Sequence, residues 1–312
     1  MASQNIGRVA AWMTGALLSF SVSALAIRAL GQQLTIFEIL TIRSGTGLIV
    51  LLLLLAVRRD LRPQVAPRFM KFHFARNITH FFGQYSWSLA VTLLPFATVF
   101  ALEFTTPAWV ALLAAIVLGE RMTKSRLGSV ILGFFGVLVI VRPGLASFQP
   151  MALLVLFAAF AFAISLIATK QLTNRVGTLN IIFWMNLLQL PMALAYPAYL
   201  AATDGPALFV FRLGTDLLIP TLALGVVGLT SHYCLTQAFR SGDATVVVPL
   251  DFLRIPLIAL VGWVFYGETI DVFVFAGAGL IICGVLWNLL AESRRTGTLP
   301  ATATEKAQSA ES

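Results

Sequence analysis

Long apolar runs separated by short polar connectors make up almost the whole chain. Ten of these runs approach the roughly 20 apolar residues that an α-helix needs to cross a bilayer. They cover 9–27, 36–57, 72–92, 96–118, 126–141, 151–169, 178–200, 216–238, 244–266 and 272–291. The segments of alternating hydrophobicity that mark a membrane barrel do not occur in the sequence. The pattern therefore predicts an all-α polytopic membrane protein with ten transmembrane helices.

The second half of the chain resembles the first. The segment "ALEFTTPAWVALLAAIVLGE" aligns with "PLDFLRIPLIALVGWVFYGE", so that Glu103 meets Asp251 and both segments end in Gly-Glu. The two halves, 9–141 and 151–291, then hold five spans each. Because five is an odd number, the second half enters the membrane in the opposite sense, and the halves form two inverted five-helix repeats. Such repeats are typical of transporters that work by alternating access.

Charge adds an orientation to this count of spans. Only 11% of the 312 residues are charged and 59% are hydrophobic, with a mean hydropathy of +0.90, so lipid is the expected solvent. Most Lys and Arg residues fall on one alternating set of connectors, while the other set holds Arg28, Arg142 and Arg212. The positive-inside rule then predicts that both termini are cytoplasmic. This placement accounts for the net charge of +8 without a nucleic-acid partner. The polar tail, 296–312, is predicted to be a disordered cytoplasmic segment.

Several segments resemble the drug/metabolite transporter superfamily in its ten-helix form with two EamA domains. They are "FEILTIRSG", "FARNITHFFGQYSWSLAVTLLPFATVFALEFTTP" and "AFRSGDATVVVPLDFLRIP", and the resemblance extends over about 9–291. It implies a permease of the bacterial inner (plasma) membrane. The third-span and ninth-span segments are similar to the group that includes S-adenosylmethionine uptake carriers. That group has a tyrosine-rich run where this chain has "PLDFLRI", so the substrate is not carried over. S-adenosylmethionine, riboflavin and amino acids all stay candidate substrates.

Six charged residues lie inside the predicted spans, where each charge near the bilayer centre costs about 2.5–3.5 kcal/mol. They are Glu38, Arg43, Arg76, Glu103, Asp251 and Arg254. Asp251 and Arg254 share a helix face, and Glu103 reaches a similar depth in the inverted repeat. Prolines interrupt the same two helices, so we expect these three residues to border a polar site at the midplane, with mutual neutralisation as the alternative. The resemblance implies a structural ion pair between Glu38 and Arg43 at the periphery, and Arg76 is predicted to snorkel to the cytoplasmic surface.

The third span carries polar side chains on one face. His80, Gln84 and Trp87 follow a spacing of four and three, an arrangement that suits a planar or aromatic ligand. Hydrogen bonding between helices is the alternative interpretation. The eighth span offers a weaker set of cavity-lining candidates in the second half, His232, Tyr233 and Gln237.

The function that these features favour is secondary transport of a small organic metabolite. The sequence contains no ATP-binding motif, metal-ligand spacing or nucleophile triad, so we expect neither an enzyme nor a cofactor or metal. An integral-membrane enzyme, a channel and a structural membrane protein are the alternatives, and flux of a labelled solute in proteoliposomes separates them from a transporter. The sequence leaves open import or export, and coupling to a proton, exchange or facilitated diffusion. It is also compatible with a monomer or a homodimer.

Overall fold

The computed structural model describes residues 6–117, 123–142, 149–173, 175–203, 214–241, 250, 253–269 and 271–297. All regular structure within these ranges is helical. The α-helices are α1 (Ile6–Leu30), α2 (Ile36–Val57), α3 (Met70–Leu93), α4 (Phe96–Glu103), α5 (Thr106–Val117), α6 (Lys124–Val141), α7 (Ala152–Thr173), α8 (Thr178–Ala202), α9 (Thr215–Ser241), α10 (Arg254–Tyr266) and α11 (Val272–Gly297). A short 3₁₀ helix, Arg59–Val65, lies between α2 and α3.

Most of the predicted spans coincide with a described apolar helix. Five helices are long and apolar enough to cross a bilayer, namely Gly7–Leu30, Ile36–Val57, Ala152–Thr169, Thr178–Ala202 and Thr215–Leu235. Three shorter apolar helices cover Leu127–Val141, Leu257–Tyr266 and Val272–Asn288. Helix α3 is absent from both groups because a line of polar side chains lowers its hydropathy. Large apolar side chains such as Val57 and Ile219 lie exposed on the outside of the bundle, as lipid contact requires.

The fourth predicted span, 96–118, is not one continuous helix. Helix α4 ends at Glu103 and α5 begins at Thr106. Pro107 lacks the N–H that would bond the Glu103 carbonyl one turn earlier. The Thr106 hydroxyl takes over that carbonyl at 2.7 Å, and the Thr105 hydroxyl bonds the Leu102 carbonyl at 2.7 Å. The span is therefore two helices joined by a break whose freed carbonyls are satisfied by neighbouring hydroxyls.

The helices pack in pairs that remain the same when the two halves of the chain are exchanged. Helix α1 packs on α9 and α3 packs on α7, two pairs that interchange if each half takes the other's place. The pairs α2 with α8, α4 with α10 and α6 with α11 each map onto themselves. Two repeats related by a two-fold axis produce this pattern. Helix α11 continues to Gly297, two residues into the predicted tail, and the remainder of that tail lies outside the described residues.

Helices α6 and α11 approach each other most closely at a reciprocal pair of glycines. A Cβ atom on Gly136 would lie 2.6 Å from the Gly277 carbonyl oxygen, and one on Gly277 would lie 2.5 Å from the Gly136 carbonyl oxygen. A side chain at either position would force the backbones of α6 and α11 apart. The last helices of the two halves therefore meet backbone to backbone, as small residues allow in membranes.

Candidate functional site

A carboxylate, a guanidinium and an indole meet in the interior of the bundle. The indole N–H of Trp87 donates to Glu103 Oε2 at 2.8 Å, and Arg254 Nη1 lies 3.5 Å from Glu103 Oε1. The Glu103 side chain keeps 20% of its surface accessible, whereas the Arg254 side chain keeps 8%. Trp87 is buried. We call these three residues the central cluster.

The two charged members of the central cluster both sit at helix ends inside the bundle. Glu103 is the last residue of α4, just before the break in the fourth span. Arg254 is the first residue of α10, whose N-cap is Leu253. Because α4 packs against α10, the break in the fourth span and the first residue of α10 face each other. Interrupted helices are how membrane transporters bring polar groups to the bilayer midplane.

Three phenylalanine rings surround the guanidinium of Arg254. Its Cζ atom lies 4.6 Å from the ring centre of Phe20, 5.2 Å from that of Phe104 and 5.6 Å from that of Phe100. Cation–π attraction stabilises a guanidinium at these distances, more strongly when water is excluded. Phe100 also packs edge-to-face on Trp87, with ring centres 5.7 Å apart. The central cluster is thus enclosed by aromatic side chains and retains one partly accessible charged group, Glu103.

The predicted polar face of α3 is buried along its length, and each member contacts a different helix. Gln84 Oε1 accepts a hydrogen bond from Arg43 Nη1 of α2 at 2.9 Å. Gln189 Nε2 of α8 lies 2.9 Å from His80 Nδ1, so the amide donates and the imidazole accepts. Trp87 bonds Glu103 of α4, as described above. These side chains form a continuous polar line along α3, and their ligand-binding role stays a prediction.

The predicted pair of Glu38 and Arg43 has described bonds to other groups. Glu38 forms a capping box with Thr35 at the start of α2, accepting from the Thr35 N–H at 2.7 Å. Arg43 lies inside the bundle between α3 and α9, because its Cγ atom is 3.2 Å from the position of a Cβ on Gly228. Arg43 therefore belongs to the polar line beside Gln84 rather than to the periphery. The ion pair between Glu38 and Arg43 stays a prediction.

Arg76 does not snorkel to the surface as predicted. It is 8% exposed, and its Nε donates inward to Thr169 Oγ1 of α7 at 2.9 Å. Its Nη1 donates to Asn77 Oδ1 at 3.0 Å. The sequence pattern does not identify Asn77 and Thr169 as partners of Arg76. The spacing of three and four residues that connects Asn77 to His80 and Gln84 was available as a signal.

The second-half candidates are described only in part. Asp251 and the side chain of His232 lie outside the described residues. Tyr233 is 53% exposed and packs edge-to-face on Trp12, with ring centres 5.9 Å apart. Gln237 is half-buried on α9. Their assignment to a cavity stays a prediction. In the part of the chain that the structure describes, no three His, Cys, Asp or Glu side chains are grouped so as to hold a metal ion.

A second ionic cluster joins the two halves where α1 and α10 end. The Arg28 guanidinium pairs with Glu268 and donates from Nε to the Val91 carbonyl at 2.7 Å. Glu268 Oε2 also accepts the Phe96 N–H at 2.9 Å. Nearby, Arg142 at the end of α6 pairs with Asp271 before α11. The sequence pattern places both arginines in outer loops and predicts neither ion pair.

Comparison with known proteins identifies relatives over most of the chain. The profile of the EamA-like transporter family matches residues 7–142 and 149–290. A riboflavin transporter of Rhizobium johnstonii is 30% identical over 72% of this chain and 71% of its own length. An S-adenosylmethionine uptake transporter of Rickettsia prowazekii is 26% identical over 91% of this chain and 92% of its own length. A pseudopaline exporter of Pseudomonas aeruginosa is 27% identical over 85% and 89% of the two chains. A solved crystal structure shares the fold, with a TM-score of 0.59 and 18% identity over 92% of this chain and 98% of its own.

Proposed function

Because the chain belongs to the EamA-like transporter family, we propose that it carries a small organic metabolite across the bacterial inner membrane by alternating access between its two halves. The relatives are named as transporters of S-adenosylmethionine, riboflavin and pseudopaline, so the chain is a small-molecule permease and not an enzyme. The family fold has ten transmembrane helices. What remains to be proposed is the site, the substrate and the orientation.

The observation that carries the proposed site is the contact between Glu103 and Arg254. One residue comes from each half. Glu103 ends α4 at the break in the fourth span, and Arg254 is the first residue of α10. A site shared by two inverted repeats is reached from either side of the membrane as the repeats move against each other. A charged pair in a spanning segment is costly, which favours a functional role for it. We therefore assign substrate binding to the central cluster of Trp87, Glu103 and Arg254.

The chemistry of the central cluster favours a metabolite that has a cationic group and a heteroaromatic ring. Glu103 is the more accessible of its two charges, so an incoming ligand meets a carboxylate first. The surrounding indole and phenyl rings offer stacking surfaces for a planar group. S-adenosylmethionine, which is named for one relative, has a sulfonium cation and an adenine ring. Riboflavin, named for another, has the ring without the cation. S-adenosylmethionine is thus the first substrate to test.

The test is counterflow in proteoliposomes that contain the purified protein. We expect labelled S-adenosylmethionine to enter vesicles preloaded with the unlabelled compound, and to raise the melting temperature of the protein by mass action. Riboflavin in the same assay separates the two substrate classes. Counterflow of riboflavin alone would replace the substrate assignment. Absence of flux for every solute in a metabolite panel, together with turnover of a lipid, would overturn the transport proposal.

Both termini are proposed to be cytoplasmic, as the distribution of basic residues supports. Cys234 and Cys283 are replaced by serine, and a single cysteine is introduced at Asp60, in the 3₁₀ helix, or at Gln149, before α7. A membrane-impermeant maleimide should label Gln149→Cys in spheroplasts and label Asp60→Cys only after the membrane is permeabilised. Both positions are exposed, so differences in burial do not confuse the comparison. The opposite labelling pattern would reverse the proposed orientation.

A further inference from the structure

Another buried cation, Arg76, lies on α3 well away from the central cluster. It precedes Trp87 by eleven residues, which is about 16 Å along an α-helix. Arg76 lies within a spanning segment, and only 8% of its surface is exposed. The charge is therefore neither solvated by water nor in reach of Glu103.

The described bonds of the Arg76 guanidinium all go to neutral acceptors. They are the Thr169 hydroxyl and the Asn77 amide oxygen. Arg254 and Arg28, in contrast, each pair with a glutamate. No carboxylate in the described ranges pairs with Arg76. A buried charge without a counter-charge is strongly destabilising, so the position of Arg76 requires an explanation beyond packing.

The groups around Arg76 are rich in hydrogen-bond donors. Gln189 Nε2 donates towards Asn77 Oδ1 at 3.2 Å and lies 2.9 Å from His80. His73, one turn before Asn77, is fully buried beside the Asn180 side chain of α8, and within the described residues its ring nitrogens make no hydrogen bond of good geometry. The cluster thus combines a guanidinium, two imidazoles and two amides. Both hydrogens of the Gln189 amide are taken up by Asn77 and His80, so the guanidinium and the imidazoles are the groups that suit an anion and not a cation.

We propose that Arg76, with His73 and His80 beside it and Gln189 orienting His80, forms a binding station for the carboxylate group of the transported metabolite. The carboxylate replaces the hydroxyl and amide acceptors of Arg76 and takes up a bidentate pair with the planar guanidinium. The polar line of His80, Gln84 and Trp87 connects this anion station to the central cluster along one face of α3. The inference rests on the proposed function and specifies its substrate further, as a metabolite whose carboxylate pairs with Arg76 at one step of transport and whose cationic group contacts Glu103 at another, because the two places are too far apart to be filled together.

The experiment compares two ligands that differ only in the carboxylate, S-adenosylmethionine and its decarboxylated derivative. Competition in counterflow gives their relative affinities for the wild-type protein, Arg76→Gln, Arg76→Lys and the control Arg58→Gln. Arg58 is an exposed arginine after α2, paired with Asp60. We expect the wild-type protein and the control to prefer S-adenosylmethionine by about tenfold or more. Arg76→Gln should lose that preference while its affinity for the decarboxylated ligand is unchanged, and Arg76→Lys should keep part of it.

Three outcomes would overturn the anion station. The first is equal binding of both ligands by the wild-type protein. The second is that Arg76→Gln weakens the binding of both ligands by the same factor, as loss of a purely structural residue would. In the third, the preference is lost in Arg254→Gln and retained in Arg76→Gln, which moves the carboxylate to the central cluster. If Arg76→Gln does not fold, Thr169→Val serves in its place. It removes one neutral acceptor, and it should increase the preference because less competes for the guanidinium; an unchanged preference would count against the anion station. Binding of neither ligand by the wild-type protein overturns the substrate class proposed above, and this inference with it.

Discussion

At the scale of single residues, the two charges of the central cluster have different surroundings. Arg254 is enclosed by aromatic rings, whereas Glu103 has an accessible edge and two donors, Trp87 and Arg254. Replacing a carboxylate by an amide keeps the shape and the acceptor oxygen, and it removes the negative charge and the capacity to carry a proton. Replacing Glu103 by glutamine therefore tests two roles of this carboxylate, namely binding of a cationic ligand and coupling to a proton.

Glu103→Gln should raise the half-saturation concentration of S-adenosylmethionine in counterflow by about tenfold, because the cationic ligand loses its counter-charge. It should also abolish the stimulation of uptake by an imposed pH gradient, because the amide does not titrate. Saturating counterflow should persist. The measurement is uptake into proteoliposomes with and without the gradient. Stimulation of the same size in the variant would exclude Glu103 as the coupling group.

Trp87→Phe tests the single hydrogen bond between the indole and Glu103. The phenyl ring retains the edge-to-face contact with Phe100, and one donor to a charged acceptor is lost, a change of about 1.5–3 kcal/mol. We expect a lower melting temperature and weaker ligand binding. The matched control is Trp109→Phe, at an indole whose ring packs on Phe134 and Phe160 and whose nitrogen has no described hydrogen bond. Equal effects of the two substitutions would show that ring size, and not the hydrogen bond, matters at Trp87.

At the scale of helices, the sequence predicts features that depend on residues close together in the chain, such as helix length and capping. The second span was predicted at 36–57 and is observed at Ile36–Val57, because apolar length and the Thr35 capping box are encoded within a few residues. The break in the fourth span follows from Pro107, although its position depends on which hydroxyls replace the lost bond. This break makes Glu103 the last residue of α4, opposite Arg254, the first residue of α10.

The partners of the polar face on α3 were not predictable in the same way. Spacing shows that His80, Gln84 and Trp87 share a face, but it does not show which helix that face meets. Their observed partners, Gln189, Arg43 and Glu103, come from three different helices. Such contacts depend on the packing of the whole bundle. For the same reason sequence placed Arg76 at the lipid headgroups, whereas the structure buries it against α7.

The contact between α6 and α11 gives a prediction at this scale. Gly136→Ala introduces a methyl group 2.6 Å from the Gly277 carbonyl, so the two backbones must separate. We expect a loss of stability of about 1–3 kcal/mol, as for other overpacked sites, measured as a lower melting temperature in detergent. Gly279→Ala on α11 is the control, because a Cβ there meets nothing within 4 Å. A similar loss in both variants would attribute the effect to the helix backbone and not to the contact.

At the scale of the whole molecule, the two halves are tied together at the end where α1 and α10 finish. The pairs Arg28–Glu268 and Arg142–Asp271 both cross from one half to the other. Beside them lies a cleft of about 160 Å³, lined by Pro95, Ala97, Thr98, Ile140, Val141, Arg142, Gln149, Ala152, Thr269, Asp271 and Val274. Alternating access requires that such cross-half bonds form on one side of the membrane and break when that side opens. We propose that the structure corresponds to the state of this cycle in which this end is closed.

Glu268→Gln should shift the protein towards opening at this end, because it removes the charge that holds Arg28 and weakens the bond to the Phe96 N–H. In the background without Cys234 and Cys283, the reporter is Thr98→Cys in the cleft, and we expect an impermeant maleimide to label it about tenfold faster, a shift of about 1.4 kcal/mol. Asp216→Asn is the control, since its bond to Gln33 also joins the halves but is exposed and contributes little.

A double variant separates access from stability. Glu268→Gln leaves Arg28 as an uncompensated buried charge, which lowers the melting temperature. Adding Arg28→Met removes that charge and should restore the melting temperature, while fast labelling persists because the cross-half bond is still missing. Labelling at the wild-type rate in both variants would mean that the ion pair stabilises the fold without controlling access.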